Sequence, residues 1–429
     1  GSNSVAIGFA ALEAQNFTSA TNSFNTAVGS AAGAAVTTGV QNTFVGGLAG
    51  DAITDADVNV AVGYNALTAN TVGSKSVAIG GHALYLQNPA SAVSMFNTAV
   101  GNDAGIAVTT GVQNTFVGAQ CGDGTDDGTN NVAVGFEALS ANCGSGNVAL
   151  GTRAGKALTG DNNTLVGLNS GILLTSGDDN IAIGHNALAN EQTGTNATAV
   201  GVGALGTQRY GGDTHNTAIG HNALSATSTG RLNTAVGSFA GDNQATGSSN
   251  TYIGYDTNPS GTNVSHEIAL GSSITAAGTN TVRIGTTNGY AQLDLDGSDT
   301  SWAAGSDERL KKDIANSTAG LSFIKDLRPV TFKWNAKNAI ADSLPQYDAS
   351  SSDPVWANSN DIHGFVAQEV KTVIDNHSEI KAGQGIWSAD PEGTQHIAYG
   401  AMMPMMVKAV QELSTALDAA LARIATLEG

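Results

Sequence analysis

The chain is short of aromatic residues (5%), short of charge (12%), and carries only two cysteines and 7 prolines in 429 residues. Aromatic side chains bury the most area per residue, so their scarcity disfavours one large globular core. Basic charge is scarcer still: 17 Lys+Arg stand against 36 Asp+Glu, a net −19. Residues 1–305 hold 6 basic and 20 acidic residues (−14), and residues 306–429 hold 11 and 16 (−5). An acidic surface of this kind repels nucleic acid and anionic membranes, so partners of either class are not expected. No run approaches the ~18 apolar residues of a membrane span, and no basic-then-apolar leader opens the chain. The first residue is Gly and a repeat is under way at Asn3, so the sequence reads as a fragment or a processed product. Cys121 and Cys143 occupy different phases of that repeat and show no Cys-x-x-Cys spacing. They read as small hydrophobes, not as a disulfide or a metal pair.

Glycine, by contrast, is abundant, with 55 residues. A pentad of the form Asn-[Thr/Val]-Ala-[Val/Ile]-Gly ends at Gly8, Gly29, Gly46, Gly63 and onward to Gly285, in 17 copies. Most intervals are 16 or 17 residues, with 14, 19 and 21 as the exceptions. A longer duplication overlies it, Phe24 to Gly46 returning 72 residues later as Phe96 to Gly118. Each unit reads as one short strand and a turn. Val, Ile or Leu before the glycine shares a strand face with the Thr or Val two residues earlier, and the Ala between them makes the other face small. Glycine permits a backbone angle that side chains forbid, and Asn is placed to close a turn through its side chain. Ala-Leu pairs after the glycine (Ala66-Leu67, Ala138-Leu139, Ala187-Leu188) read as an apolar plug for the core, with a helical turn as their candidate geometry. A unit this small cannot bury its apolar edge alone and must stack on its neighbours as a solenoid.

The pattern Asn3-Ser-Val-Ala-Ile-Gly8 and its copies resemble the head repeats of trimeric autotransporter adhesins over roughly residues 1–285. That resemblance implies a left-handed parallel β-roll with three chains about one axis. The period here is longer than is usual in that family, and the family's C-terminal membrane anchor has no counterpart in this sequence.

From Ser306 the composition changes, and glycine falls to 7 in 124 residues. Four segments follow in order: Ser306-Asp-Glu-Arg-Leu-Lys-Lys-Asp313, Gly320 to Trp334, His363 to Val370, and Tyr399 to Leu413. Together they resemble the endosialidase-type intramolecular chaperone, also called peptidase family S74, found at the C-terminus of phage tail fibres and tailspikes. The resemblance implies a domain that assists trimerisation of the preceding β-structure and then cuts itself off. Ser306 matches the nucleophile and Lys311 the base, with Lys312 as an alternative base, and the bond cut is Gly305–Ser306. A serine hydroxyl needs such a base at neutral pH, and burial frees a lysine amine to serve. Outside this setting a Ser-x4-Lys pair is more often a turn cap and a solvated lysine.

Met403, Met406, Val410, Leu413, Leu417, Ala420, Ile424 and Leu427 recur at alternating spacings of three and four. This is a heptad seam, read as a three-stranded coiled coil over residues 400–428, with an amphipathic helix packed in its own monomer as the alternative. Weaker signals remain. Three carboxylates in Gly122–Gly128 suggest a calcium loop but lack EF-hand spacing. His185 and His221 share one repeat phase, where a trimer would ring them, and Asp55/Asp57 and Asp178/Asp179 read as hydrated turns. No cofactor and no metal is expected, and no carboxylate pair in the shaft fits polysaccharide cleavage.

The sequence therefore predicts a mainly β chain. Residues 1–290 form a trimeric parallel β-roll or β-solenoid shaft, 291–305 a linker strand and cleavage junction, and 306–429 an α+β chaperone domain ending in the heptad helix. The expected function is the receptor-binding part of a phage tail fibre, assembled in the host cytoplasm and carried in the virion. Its expected partners are two further copies of itself, upstream tail proteins, and a host-surface glycan or protein. A tailspike depolymerase and a bacterial surface adhesin are the competing readings, and the only expected enzyme activity is single-turnover self-cleavage.

Overall fold

The structure, a computed structural model, describes residues 3–295, 303–304, 308, 312–342, 344, 346–355, 361–380, 385–389 and 393–428. It divides into two units, residues 1–305 and 306–429.

The first unit is a parallel β-solenoid in which each pentad supplies one strand. Strands of three residues run from Val5–Ile7 to Thr251–Ile253, followed by Glu267–Ser272 and Thr281–Thr286. They pair in parallel, pentad position on pentad position: Val60 on Val77, Ala61 on Ala78, Val62 on Ile79. Gly289–Asp294 then returns antiparallel on Thr281–Thr286, and Ala303–Ala304 pairs antiparallel with Ala291 and Gln292. Reversal of direction ends the stacking.

The alternation along each strand resolves as small-inside. The central Ala is fully buried in rung after rung (Ala27, Ala61, Ala78, Ala133, Ala218), while the residue before the glycine stays open. The coil is too narrow for two large side chains to meet across it. Ala-Leu turns fill the space from the opposite wall, with Leu67, Leu84, Leu139 and Leu188 buried. These leucines are not helical. Leu67 has φ 57 and Leu84 φ 49, and no helix occurs among the described residues of the shaft. Where the strand centre is large, the turn gives way. Phe44 packs against Gly50 of its own rung and Gly33 of the rung before, and a Cβ at Gly33 would lie 2.6 Å from the Phe44 ring. Phe116 sits likewise between Gly105 and Gly122, and Leu165 between Gly155 and Gly171. Core volume is thus held constant by exchanging Ala plus Leu for Phe plus Gly, as close packing demands. The pentad glycine is fixed for another reason: Gly63 has φ +132, and a Cβ there would lie 2.5 Å from the carbonyl oxygen of Gly80 in the next rung.

The pentad asparagines join rungs instead of closing local turns. The backbone N–H of Asn131 donates to Asn114 Oδ1 (3.0 Å), and Asn114 Nδ2 donates to the Gly128 carbonyl (2.8 Å). This ladder runs unbroken from Asn97 through Asn180. It fails at Ser76 and Ala197, and the rungs that follow are two of the three long ones, of 21 and 19 residues. There a buried glutamine from the turn takes over, Gln87 accepting from Ser76 Oγ and Asn97 Nδ2, and Gln208 from Asn216 Nδ2. Asn114→Ala strands two buried backbone groups, each worth about 1–3 kcal/mol. A chemical melt should therefore lose roughly 2–6 kcal/mol of shaft stability. A loss below half a kcal/mol would show that the ladder is ornamental.

The second unit is small and mixed. Helix α1 (Leu321–Asp326) leads to strand Val330–Phe332, which pairs antiparallel with Ile362–Gly364, and helix α2 (Ala367–Asn376) follows. A second hairpin pairs Trp387–Ala389 with Gln395–Ile397, and helix α3 (Met403–Glu428) closes the chain. Phe323, Val370, Ile374, Ile386 and Met402 make its core.

Candidate cleavage junction and assembly surfaces

Gly305, Ser306 and Lys311, the cleavage bond and the dyad expected from the sequence, lie outside the described residues. Lys312 is described. Its side chain is 88% exposed and 3.9 Å from Asp313, with none of the burial that a lysine base requires.

Helix α3 has two different halves. In its first turns one face packs inward: Met405 borders the core, Ala409 is buried, and Glu412 reaches across to α1. Glu412 Oε2 accepts the Leu321 N–H at 2.8 Å, so a carboxylate on α3 caps the N-terminus of α1, where the helix dipole favours it. That bond holds the Glu412 carboxyl below its usual range, with Lys408 adding to it. A Cβ at Gly320 would meet the same carboxylate at 2.6 Å, which is why the segment opens on glycine. From Leu413 to Glu428 every residue is exposed. The seam is therefore open: Met403, Met406, Val410, Leu413, Leu417, Ile424 and Leu427 are each 49–80% accessible, and Ala420 is exposed with them. Val407 and Leu421, one residue beyond a seam position, are open too and widen the stripe.

The shaft carries an open apolar column of its own. Ile7, Val45, Ile79, Val134, Leu150, Ile183, Ile219, Ile253 and Ile284, each just before a pentad glycine, are all exposed on the outer face of the sheet. Seventeen strands at the usual spacing make this column roughly 80 Å long.

His377, at the C-terminal end of α2, was not singled out by its sequence context. Its Nδ1 lies 2.8 Å from Glu379 Oε1 and its Nε2 3.0 Å from Asp326 Oδ2 on α1, with the Phe323 ring edge-on at 5.5 Å. Glu379 first, then Asp326, holds its imidazole above the usual histidine range. A raised folded-state pKa contributes stability below the ordinary value near 6.5, lost as pH rises through the folded value. The thermal midpoint of the C-terminal unit should therefore fall as pH rises from about 6.5, and His377→Gln should flatten that dependence. Equal slopes for both proteins would refute the bridge.

The weaker signals settle into structural roles. Cys121 and Cys143 are free and buried, and burial pushes their thiols up to about 12 and about 11. Asp57 Oδ1 accepts the Val40 N–H and Asp178 Oδ1 the Asp161 N–H, so these aspartates cap the preceding rung and are not simply hydrated turns. The carboxylates of Gly122–Gly128 do not converge: among the described residues no group of three or more His, Cys, Asp or Glu is placed to hold a metal ion. His221 meets the Phe239 ring edge-on at 5.0 Å. No described helix is long and apolar enough to cross a membrane.

Comparison with known proteins finds no match among curated proteins and none among solved structures. Residues 306–379 match the model of the peptidase S74 family, described as the chaperone of endosialidase. The match opens at Ser306, where the second unit opens, and runs through α1 and α2. The C-terminal unit of this chain thus carries a segment of the endosialidase chaperone family, preceded by a long β-solenoid.

Proposed function

We propose that this chain is the distal part of a homotrimeric phage tail fibre, with the solenoid as its shaft and residues 306–429 as an intramolecular chaperone that frees itself by cutting Gly305–Ser306. The observation that carries the reading is the chaperone family segment directly behind a stacked β-shaft. Two apolar surfaces support the trimer: the α3 seam and the outward column of the shaft, both exposed among the described residues. Isolated helices of this length are marginal in water, so Leu413–Glu428 needs partners to stay helical. An apolar residue beside each of two seam layers (Val407, Leu421) broadens the contact beyond the narrow stripe of a two-stranded coil.

The order of events follows from the energetics. Parallel pairing between chains is slow because its contacts are non-local. Three C-termini held by α3 raise the local concentration of the shafts and set their register before the shafts close. The finished fibre then presents its shaft to a glycan or protein on the host surface, joined upstream to other tail proteins in the virion. Sedimentation of the purified chain should give three times the monomer mass. A monomer at micromolar concentration would end this reading.

A further inference from the structure

The solenoid surface departs from its repeat beside an open groove. The groove, of about 610 Å³, crosses four consecutive rungs between Ile172 and Ala226. Two side chains are absent from its floor, and the Asn222 amide leans over the first of them, its Oδ1 2.3 Å from where a Cβ of Gly203 would stand. The rung from Gly201 to Gly220 has Gly203 and Gly206 where the preceding rung has Asn186 and Ala189 and the following rung Asn222 and Ser225. The notch is therefore written into the sequence as a departure from the repeat, and its volume lies in the range of small-ligand sites.

Its walls are neutral and amphipathic. Asn186 and Asn222 flank the gap, and Asn190 is anchored by donating from Nδ2 to the Gly206 carbonyl. Thr207 is held by donating to the Ser225 carbonyl at 2.6 Å, which leaves oxygen lone pairs to accept. Leu173, 44% exposed, adds an apolar surface. None of the lining residues is charged.

We propose that this notch binds a neutral saccharide. Carboxamides and hydroxyls each donate and accept, as adjacent sugar hydroxyls require, and the aliphatic surface suits the C–H face of a pyranose. The absence of a cationic lining residue, within a shaft of net charge −14 (6 basic against 20 acidic), disfavours acidic sugars and phosphates. The groove is too open to bury the large apolar anchors on which peptide recognition depends. Three copies on one fibre would multiply a weak single-site affinity through avidity. The biological use, contact with a host glycan, rests on the fibre reading; the site itself does not.

The test restores the repeat. Gly203→Asn with Gly206→Ser places in the notch the residues that the following rung carries at the same positions; Asn186 and Asn222 hold the same positive φ there, and the Asn222 amide has to swing away from the added Cβ, which its Oδ1 would otherwise meet at 2.3 Å. Gly47→Ser, where an added Cβ comes no nearer than 3.6 Å to any neighbour, is the control outside the groove. The full chain is screened on an array of neutral and acidic oligosaccharides, and the best neutral one is titrated by calorimetry. Wild type and Gly47→Ser should bind it alike, and the filled variant at least tenfold more weakly with an unchanged melting temperature. Retention of no neutral glycan, preference for acidic ones or for peptides, or equal binding by the filled variant would overturn the proposal. A trimer that binds no neutral glycan sinks the notch and leaves the fibre reading standing; a monomer that binds one does the reverse.

Discussion

Wild-type chain should separate on a denaturing gel into a shaft fragment and a 124-residue fragment, residues 306–429 of the 429, whereas Ser306→Ala and Lys311→Ala should each run as one full-length band. The expected step is an acyl shift. Lys311, as free amine, takes the Ser306 hydroxyl proton; Oγ attacks the Gly305 carbonyl; Lys311 returns the proton to the amide nitrogen, which leaves as the new amino terminus of Ser306. Water then splits the ester and leaves Gly305 with a carboxylate. Two further readouts separate this route from a contaminating protease. Hydroxylamine, which attacks esters, should speed release in the wild type and do nothing to Ser306→Ala. The rate should also rise with pH until Lys311 is fully deprotonated, and Lys312→Ala should still cut, because Lys312 lies exposed beside Asp313. Persistence of the smaller band in Ser306→Ala would remove Ser306 from the chemistry. A single band from all the proteins, wild type included, would remove self-cleavage.

What could be read from the residues was whatever repeats locally. Five consecutive residues returning 17 times announce a strand and its turn, and the register follows because each pentad stacks on the next without slip. The inward face was harder. Val-Ala-Val alternation is symmetrical on paper, and only the coil's narrowness decides that Ala61 points in while Val62 stays partly open. Couplings between rungs were harder still, because they join residues 14 to 17 apart. Asn42 donates to the Ala56 carbonyl and accepts from the Asn59 N–H, which no local turn rule anticipates. Their trace is nonetheless present. A large strand centre such as Phe44 goes with glycine in two successive turns, and a missing pentad Asn goes with a buried Gln three residues after the turn leucine. The buried Glu191 stands at that same turn position, its Oε1 accepting the N–H groups of Gln192, Thr193 and Gly194.

In the C-terminal unit three of the four segments form its framework, and most of the first, Ser306 to Asp313, lies outside the described residues. Gly320 to Trp334 forms α1 and its strand, His363 to Val370 forms the opposing strand and the start of α2, and Tyr399 to Leu413 roots α3. Segments of this kind are legible because they pack on one another. His377 was not, because its partners Asp326 and Glu379 become a site only when α1 and α2 close.

The largest effect on assembly should come from Leu417→Asp combined with Ile424→Asp. Both residues lie on the exposed second half of α3, 59% and 49% accessible, so the fold of the C-terminal unit should not depend on them. In a three-stranded seam each position is filled three times over. Burying one Leu or Ile contributes about 1.5–3 kcal/mol, so one layer contributes roughly 4–9 kcal/mol per trimer. Replacing it with three carboxylates adds the cost of desolvating like charges. The double variant should sediment as a monomer and lose the helical circular dichroism of residues 413–428, while its cores around Phe323 and Ala61 stay intact. Leu417→Ile keeps the volume and suits a trimeric seam, so it should sediment as wild type. If the charged variant remains a trimer, α3 is not what gathers the chains, and the outward column from Ile7 to Ile284 must do so unaided.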